Sequence, residues 1–218
     1  MVVRRLVIAS RNRHKVAEMR VPVSDVMPGF ELLGMDAFID APEIEEHGHS
    51  FRDNAMLKAL GTAKWLKLVG ERVDTLVLAD DSGLCVDALN GAPGVQSARF
   101  AGQHSDDEAN NRELVEQLRR AGRDRSPAHY VCVLVMARID GSAIIPTTSS
   151  SMLCVEADWP VEVRAQRRGH GGFGYDPHCW IDDGRRTVAE LDREQKRLVS
   201  HRGQAIARLR ERLQGLAL

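Results

Sequence analysis

Short apolar runs alternate with polar loops along most of the chain, and their periods predict its elements. Leu6 to Ala9 is apolar and reads as a first strand, with Ser10 to Arg13 as the polar loop after it. His14 to Val21 reads as a helix. Pro22 is expected to kink or end it, because proline has no N–H to continue the ladder. Phe30 to Leu33 predicts a second strand. Ser50 opens a long helix: its hydroxyl can cap, and Asp53 stands three residues on in the capping-box position. Phe51, Ala55, Ala59, Ala63 and Leu66 then recur at helical spacing. Thr75 to Ala79 is an apolar run that ends in Asp80 and Asp81, and Leu84 to Leu89 forms a second strand-like run. Asp106 to Ala121 predicts a helix, and Tyr130 to Ile139 a strand rich in Val and Leu. Ile144 to Val163 holds further strands, with Thr, Ser and Val favouring extended structure. Ser200 caps a last helix running to about Leu216.

Strands and helices alternate early, and strands crowd together in the middle. That order predicts an α/β or α+β protein with a mixed sheet and flanking helices. No repeat, low-complexity segment or linker cuts the chain, so residues 1–218 read as one domain, large enough for two lobes sharing a core.

Composition adds exclusions. A net charge of -1 gives no pull toward a nucleic-acid polymer or an anionic membrane. Basic residues cluster only locally, at Arg164, Arg167 and Arg168 and in the C-terminal helix. No apolar run is long enough to span a bilayer. The run after Arg4 and Arg5 is too short for a signal peptide. Cys85, Cys132, Cys154 and Cys179 form no CxxC pair, which argues against a zinc or redox motif and for a reduced, cytoplasmic setting.

Five segments carry chemistry. Asp80 and Asp81 repel each other and must be solvated or paired; on this stretch alone a divalent cation and solvent are equal readings. Ser10-Arg11-Asn12-Arg13-His14-Lys15 joins a strand to a helix, where backbone N–H groups and the dipole favour an anion, although on this segment alone a plain surface loop is the better reading. Glu43 to Glu46, followed by the helix carrying Lys58, offers carboxylates that magnesium accepts alongside water and phosphate oxygens. Gly169 to Pro177 places Phe173 and Tyr175, two faces on which a base can stack, among four glycines that permit close approach. Lys196 to Gly203 gathers His201 and Arg202 at a helix start, and an arginine can donate to the O6 and N7 edge of a 6-keto purine.

On the segments SRNRHKVAEM (10–19), FRDNAMLKA (51–59), LADDSGLCVDALNGAPGVQSARFAG (78–102), GGFGYDP (171–177) and TVAEL…KRLVSHRGQA (187–205), the chain resembles the inosine/xanthosine triphosphate pyrophosphatases. The resemblance spans nearly the whole chain. It implies two lobes around a central substrate cleft, a homodimer, and Mg²⁺-dependent cleavage of ITP, dITP or XTP to the monophosphate and pyrophosphate. It implies Asp81 as proton acceptor and metal ligand, with Glu46 as the second metal-binding carboxylate. Ser10, Arg11, Asn12, Arg13, His14, Lys15, Lys58 and Ser82 match substrate positions near the phosphates. Phe173, Gly174, Tyr175, Asp176, Lys196, His201 and Arg202 match those near base and sugar. Three positions depart from the family pattern: Arg11 replaces a glycine, Asp53 a glutamate, and Trp159-Pro160-Val161-Glu162 a glycine-containing turn.

Two rival classes remain. A haloacid-dehalogenase-like phosphatase also begins with strand-end aspartates but needs an Asp-x-Asp pattern, whereas these two are adjacent. A nucleotide-binding sensor would have no need of the carboxylates.

Overall fold

In a computed structural model, which describes residues 4–72, 74–102, 106–144 and 152–214, seven strands form one mixed sheet. They are β1 (Arg4–Ala9), β2 (Phe30–Gly34), β3 (Leu76–Val86), β4 (Arg125–Arg138), β5 (Met152–Arg164), β6 (Cys179–Ile181) and β7 (Arg186–Thr187). Their order is β2-β1-β3-β4-β5-β6-β7. β1 pairs in parallel with β2 and β3, while β5–β6 and β6–β7 are antiparallel. The helices are α1 (Arg13–Val26), α2 (Phe51–Leu68), α3 (Asp107–Arg120), α4 (Arg193–Val199) and α5 (His201–Leu213). No helix among the described residues is long and apolar enough to cross a membrane.

The chain folds as two compact units. The first comprises Met1–Asp81, Val133–Glu156 and Ala205–Leu218, and the second Ser82–Cys132 and Ala157–Gln204. In the first, Leu6, Ile8, Met19, Leu66, Leu76 and Leu78 are fully buried. In the second, Leu84, Leu114, Leu118, Tyr130, Trp159, Val163 and Tyr175 belong to one apolar cluster.

Two crossovers shape the first unit. The chain runs from β1 through α1 to β2, then from β2 through α2 to β3 on the other side of β1. Right-handed crossovers in opposite directions place α1 and α2 on opposite faces of the sheet. α1 packs on β2 and α2 on β1. Ala55, Ala59 and Ala63 are buried one turn apart along α2, so small side chains let it lie close to the strand. Ser50 is its N-cap and accepts from the Asp53 N–H, as the sequence predicts.

Two expectations need correction, and a third falls outside the described residues. α1 does not end near Pro22 but runs through it to Val26. Met19, Pro22 and Val23 are buried on one face, and burying Met19 and Val23 contributes about 1.5–3 kcal/mol each. That offsets the roughly 3 kcal/mol an interior proline costs. β3 does not stop before the two aspartates: one strand of 11 residues passes through Asp80 and Asp81 to Val86, and Asp87–Leu89 is a 3-10 turn. Between β4 and β5, the expected strand residues 145–151 lie outside the described residues, and β5 begins at Met152. The last helix is described to Leu213.

Leu78 tests how much the first unit depends on β3. Its side chain is fully buried in a central strand. Leu78→Ala is expected to lower stability by about 3 kcal/mol. Urea unfolding will show it as a lower midpoint with an unchanged slope.

Candidate active site

Consecutive strand residues point to opposite faces, so Asp80 and Asp81 are separated by the sheet itself. Each then meets the helix on its own side. Lys15, in the first turns of α1, reaches Asp80 at 2.9 Å. Lys58, in the middle of α2, reaches Asp81 at 2.7 Å and Glu46 at 3.3 Å. Both aspartates are buried, with Asp80 1% and Asp81 5% exposed. The burden of two adjacent carboxylates is thus met first by two lysines, a solution that neither the metal nor the solvent reading contained.

The two acids are not equivalent. Asp81 Oδ2 is buried and accepts no hydrogen bond. The Glu46 carboxyl adjoins the Asp81 carboxyl. Two ionised carboxylates in contact have no donor to share, so this corner has room for a proton or a cation. Burial pushes the Asp81 carboxyl up to about 6, against the opposing pull of Lys58 and Lys15. Burial also works to raise Glu46, but the Lys58 charge and the contacts with Asp81 and Lys58 outweigh it and hold the group below its ordinary value. Lys58 is buried too, yet Asp81 and Glu46 keep its ammonium above the usual lysine value. Among the described residues no three histidine, cysteine, aspartate or glutamate side chains converge as a metal cage. A two-carboxylate corner suits a hard cation that completes its shell with water and phosphate oxygens.

The loop from Ser10 to Lys15 divides its work. Asn12 caps α1, its side chain accepting from the N–H groups of His14 and Lys15. Those two helix-start donors are therefore already engaged, and the point charge of Lys15 is what this segment brings to β3. Ser10 Oγ accepts from the Asn12 N–H at 3.2 Å. Arg11 donates to the Ala41 carbonyl. A cavity of about 620 Å³ lies beside it, lined by Ser10, Arg11, Arg13 and Arg20 with Phe38 and Asp40. His14 is exposed.

The second unit holds a separate constellation centred on Asp176, which is 3% exposed. Its Oδ2 accepts from Lys196 Nζ at 2.6 Å and from the Phe173 N–H at 3.0 Å. Its Oδ1 accepts from the Tyr130 hydroxyl at 3.1 Å. Lys196 Nζ also lies 4.7 Å from the centroid of the Phe173 ring. Arg202, 2% exposed, donates to Ser82 Oγ at 2.8 Å. His201 opens α5, after Ser200 has accepted the Gly203 N–H.

The glycine-rich loop is anchored rather than a mobile tip. The Gly174 N–H donates to Asp107 Oδ2 at 2.7 Å, and Asn111 Nδ2 donates to the Gly174 carbonyl at 2.9 Å. Asp107 and Asn111 are one turn apart on α3. Gly172 has φ +69°, and a Cβ there would run into Asp176 Oδ2. The reading of Tyr175 as an open face for a base is corrected: it is buried in the apolar cluster. Its hydroxyl donates to the Ser97 carbonyl at 2.8 Å, which holds the ring inward. Phe173 alone keeps a half-buried ring.

Sequence reading missed Tyr130, Asp107 and Asn111 as parts of this arrangement. Tyr130 appeared only as an apolar strand residue, and the other two only as helix positions. An aspartate and an asparagine one turn apart were a signal, but not one that named a partner.

A family model described as the Ham1 family matches residues 6–212. A dITP/XTP pyrophosphatase of Clostridium perfringens is 38% identical over 214 residues, covering 98% of each chain. One of Streptomyces coelicolor is 40% identical over 205 residues, 94% of each. Among solved structures, a HAM1 protein from Coxiella burnetii superposes with a TM-score of 0.80 at 35% identity, covering 97% of this chain and 99% of that one.

Lys58 neutralises two carboxylates at once, so removing it should be felt in stability. Lys58→Met is expected to cost about 3 kcal/mol at pH 7. Without the lysine, Asp81 holds its proton to still higher pH in the folded state. A carboxyl raised in this way costs most above its folded pKa, and the cost shrinks as pH falls toward the unfolded value. Urea unfolding at pH 7 and pH 5 should therefore show a larger deficit at pH 7; equal deficits would contradict the assigned pairing.

Proposed function

The chain belongs to the Ham1 family, and from that premise we propose that it hydrolyses non-canonical purine nucleoside triphosphates, dITP, ITP and XTP, to the monophosphate and pyrophosphate. The relatives bearing the name dITP/XTP pyrophosphatase match over nearly their full length, so the whole catalytic unit is represented here. The reaction clears altered purines from the nucleotide pool. The reading extends to a homodimeric enzyme of the cytoplasm, in keeping with four cysteines of which none forms a disulfide.

The observation that carries the mechanism is the buried Asp81 Oδ2, without a hydrogen bond, beside the Glu46 carboxyl. Glu46 and Asp81 would hold Mg²⁺, which when bound neutralises phosphate oxygens and orients the triphosphate. Asp81 is also the group we assign to accept a proton from the water that attacks the α-phosphorus. Without metal, burial pushes this carboxyl up to about 6, so it takes up a proton more readily than an ordinary aspartate yet is still ionised at neutral pH. Asp80 is less suited to this role, since strand alternation turns it to the face opposite Asp81 and the Glu46 carboxyl beside it. Lys15 and Lys58 supply positive charge for the pyrophosphate leaving group. Ser10, Arg11, Asn12, Arg13 and His14 belong to the same phosphate end, with Asn12 shaping the loop.

The second unit supplies base recognition. Phe173 offers a ring for stacking, and Arg202, held by Ser82, presents a donor suited to O6. Lys196, His201 and Asp176 complete the polar set, with Gly174 keeping the loop close and Tyr175 supporting it from within. Donors aimed at a keto oxygen are left facing an amino group when adenine enters, a mismatch worth roughly 10⁴-fold in selectivity.

Pyrophosphate release from dITP, ITP, XTP, ATP and GTP with Mg²⁺ tests the reading. dITP, ITP and XTP are expected to exceed ATP by roughly 10⁴ in kcat/KM, and equal turnover of ATP would reject the assigned specificity. Asp81→Asn should lower kcat by roughly 10²–10⁴. Mg²⁺ binding followed by calorimetry adds a pH test. Because Asp81 holds its proton up to about 6, affinity should be constant above that pH. Below it, affinity should weaken about tenfold per pH unit, as metal and proton compete.

A further inference from the structure

We propose that Tyr130 is the positioning residue for base recognition, fixing Asp176 and His201 with the two ends of one side chain. The proposal rests on the function assigned above and adds to it a residue that touches neither phosphate nor metal. Tyr130 lies in β4 and is 6% exposed. Its hydroxyl donates to Asp176 Oδ1 at 3.1 Å. Its ring lies almost parallel to the His201 imidazole, with centroids 4.7 Å apart and an interplanar angle of 8°. Trp159 flanks the pair, its ring centroid 6.1 Å from that of Tyr130 and 6.3 Å from that of His201.

Packing alone does not ask for a tyrosine here. A phenylalanine would fill the same volume without bringing a hydroxyl into an apolar cluster, where an unmatched one is costly. The hydroxyl has a matching task. Asp176 is buried beside Lys196, and donors on both of its oxygens hold a buried carboxylate in one orientation. Lys196 and the Phe173 N–H hold Oδ2, and Tyr130 holds Oδ1. Burial raises the Tyr130 phenol well above its usual value, so it remains a donor at any working pH.

The consequence spreads along two segments. Asp176 fixes Lys196 above the Phe173 ring and the backbone of the glycine-rich loop at Phe173. The His201 imidazole at the start of α5 is braced face-on by the Tyr130 ring. One side chain in a strand thereby sets the alignment of groups from the glycine-rich loop, α4 and α5. Its loss should loosen binding of the base while leaving the hydrolytic residues of the first unit as they are.

Steady-state kinetics on Tyr130→Phe and Tyr130→Leu, with dITP as substrate, tests this. Tyr130→Phe keeps the stack and removes the bond to Asp176; KM is expected to rise about tenfold with kcat within twofold of the parent. Tyr130→Leu removes both contacts and should raise KM further. A merely structural role would reduce the folded fraction, lowering apparent kcat and the melting temperature at an unchanged KM. An active parent enzyme with an unchanged KM in Tyr130→Phe overturns the inference and leaves the function intact. Equal KM values in the two variants overturn the part assigned to the His201 stack. If the parent enzyme turns over none of the triphosphates, both the function and the inference fail. Should Tyr130→Leu not fold, Tyr130→Met, which is longer and also lacks the ring, takes its place for the His201 stack, and Tyr130→Phe decides the bond to Asp176.

Discussion

The site depends on one constraint of strand geometry: successive residues must face opposite ways. Without it, Asp80 and Asp81 would be two like charges competing for one set of partners. With it, they are two separate acids, each addressed by a helix that the crossover rule has already placed on its side. Lys15 comes from the first turns of α1 and Lys58 from the middle of α2. The lysines permit the acids to be buried, and burial gives Asp81 its raised affinity for protons. Fold, charge balance and the proposed base all trace back to this alternation.

The asymmetry between the acids follows from the same geometry. Glu46 adjoins Asp81 and shares Lys58 with it. Lys58 contacts two carboxylates on that side of the strand, while Asp80 pairs with Lys15, whose charge also reaches Asp81 and Glu46. Two carboxylates sharing one lysine favour a cation at the Asp81–Glu46 corner. Identical residues one peptide bond apart acquire different chemistry because different helices cover them.

Much of this was legible in the sequence. The apolar runs marked β1, β2 and β4, and Ser50 with Asp53 marked the start of α2. The order of five motifs pointed to the family that the comparisons establish. What was not legible depended on distant partners. Pro22 reads as a helix end until Met19 and Val23 are seen buried beside it. Two aspartates read as a strand end until lysines from two helices are found to neutralise them. Tyr175 reads as an exposed aromatic until the Ser97 carbonyl captures its hydroxyl. Tyr130 carries no local sign of its role, because both its partners lie more than 40 residues away in sequence.

Four glycines within Gly169–Gly174 would ordinarily make that segment expensive to order, since backbone freedom is worth about 1–2 kcal/mol per residue. Here Asp107 and Asn111 grip both polar groups of Gly174, and Asp176 grips the next N–H back along the loop. The entropy of ordering the loop is therefore lost once, during folding, and need not be lost again each time a nucleotide arrives. Preorganisation of this kind lets an enzyme bind scarce, abnormal nucleotides without drawing on the few interactions that tell them from normal ones.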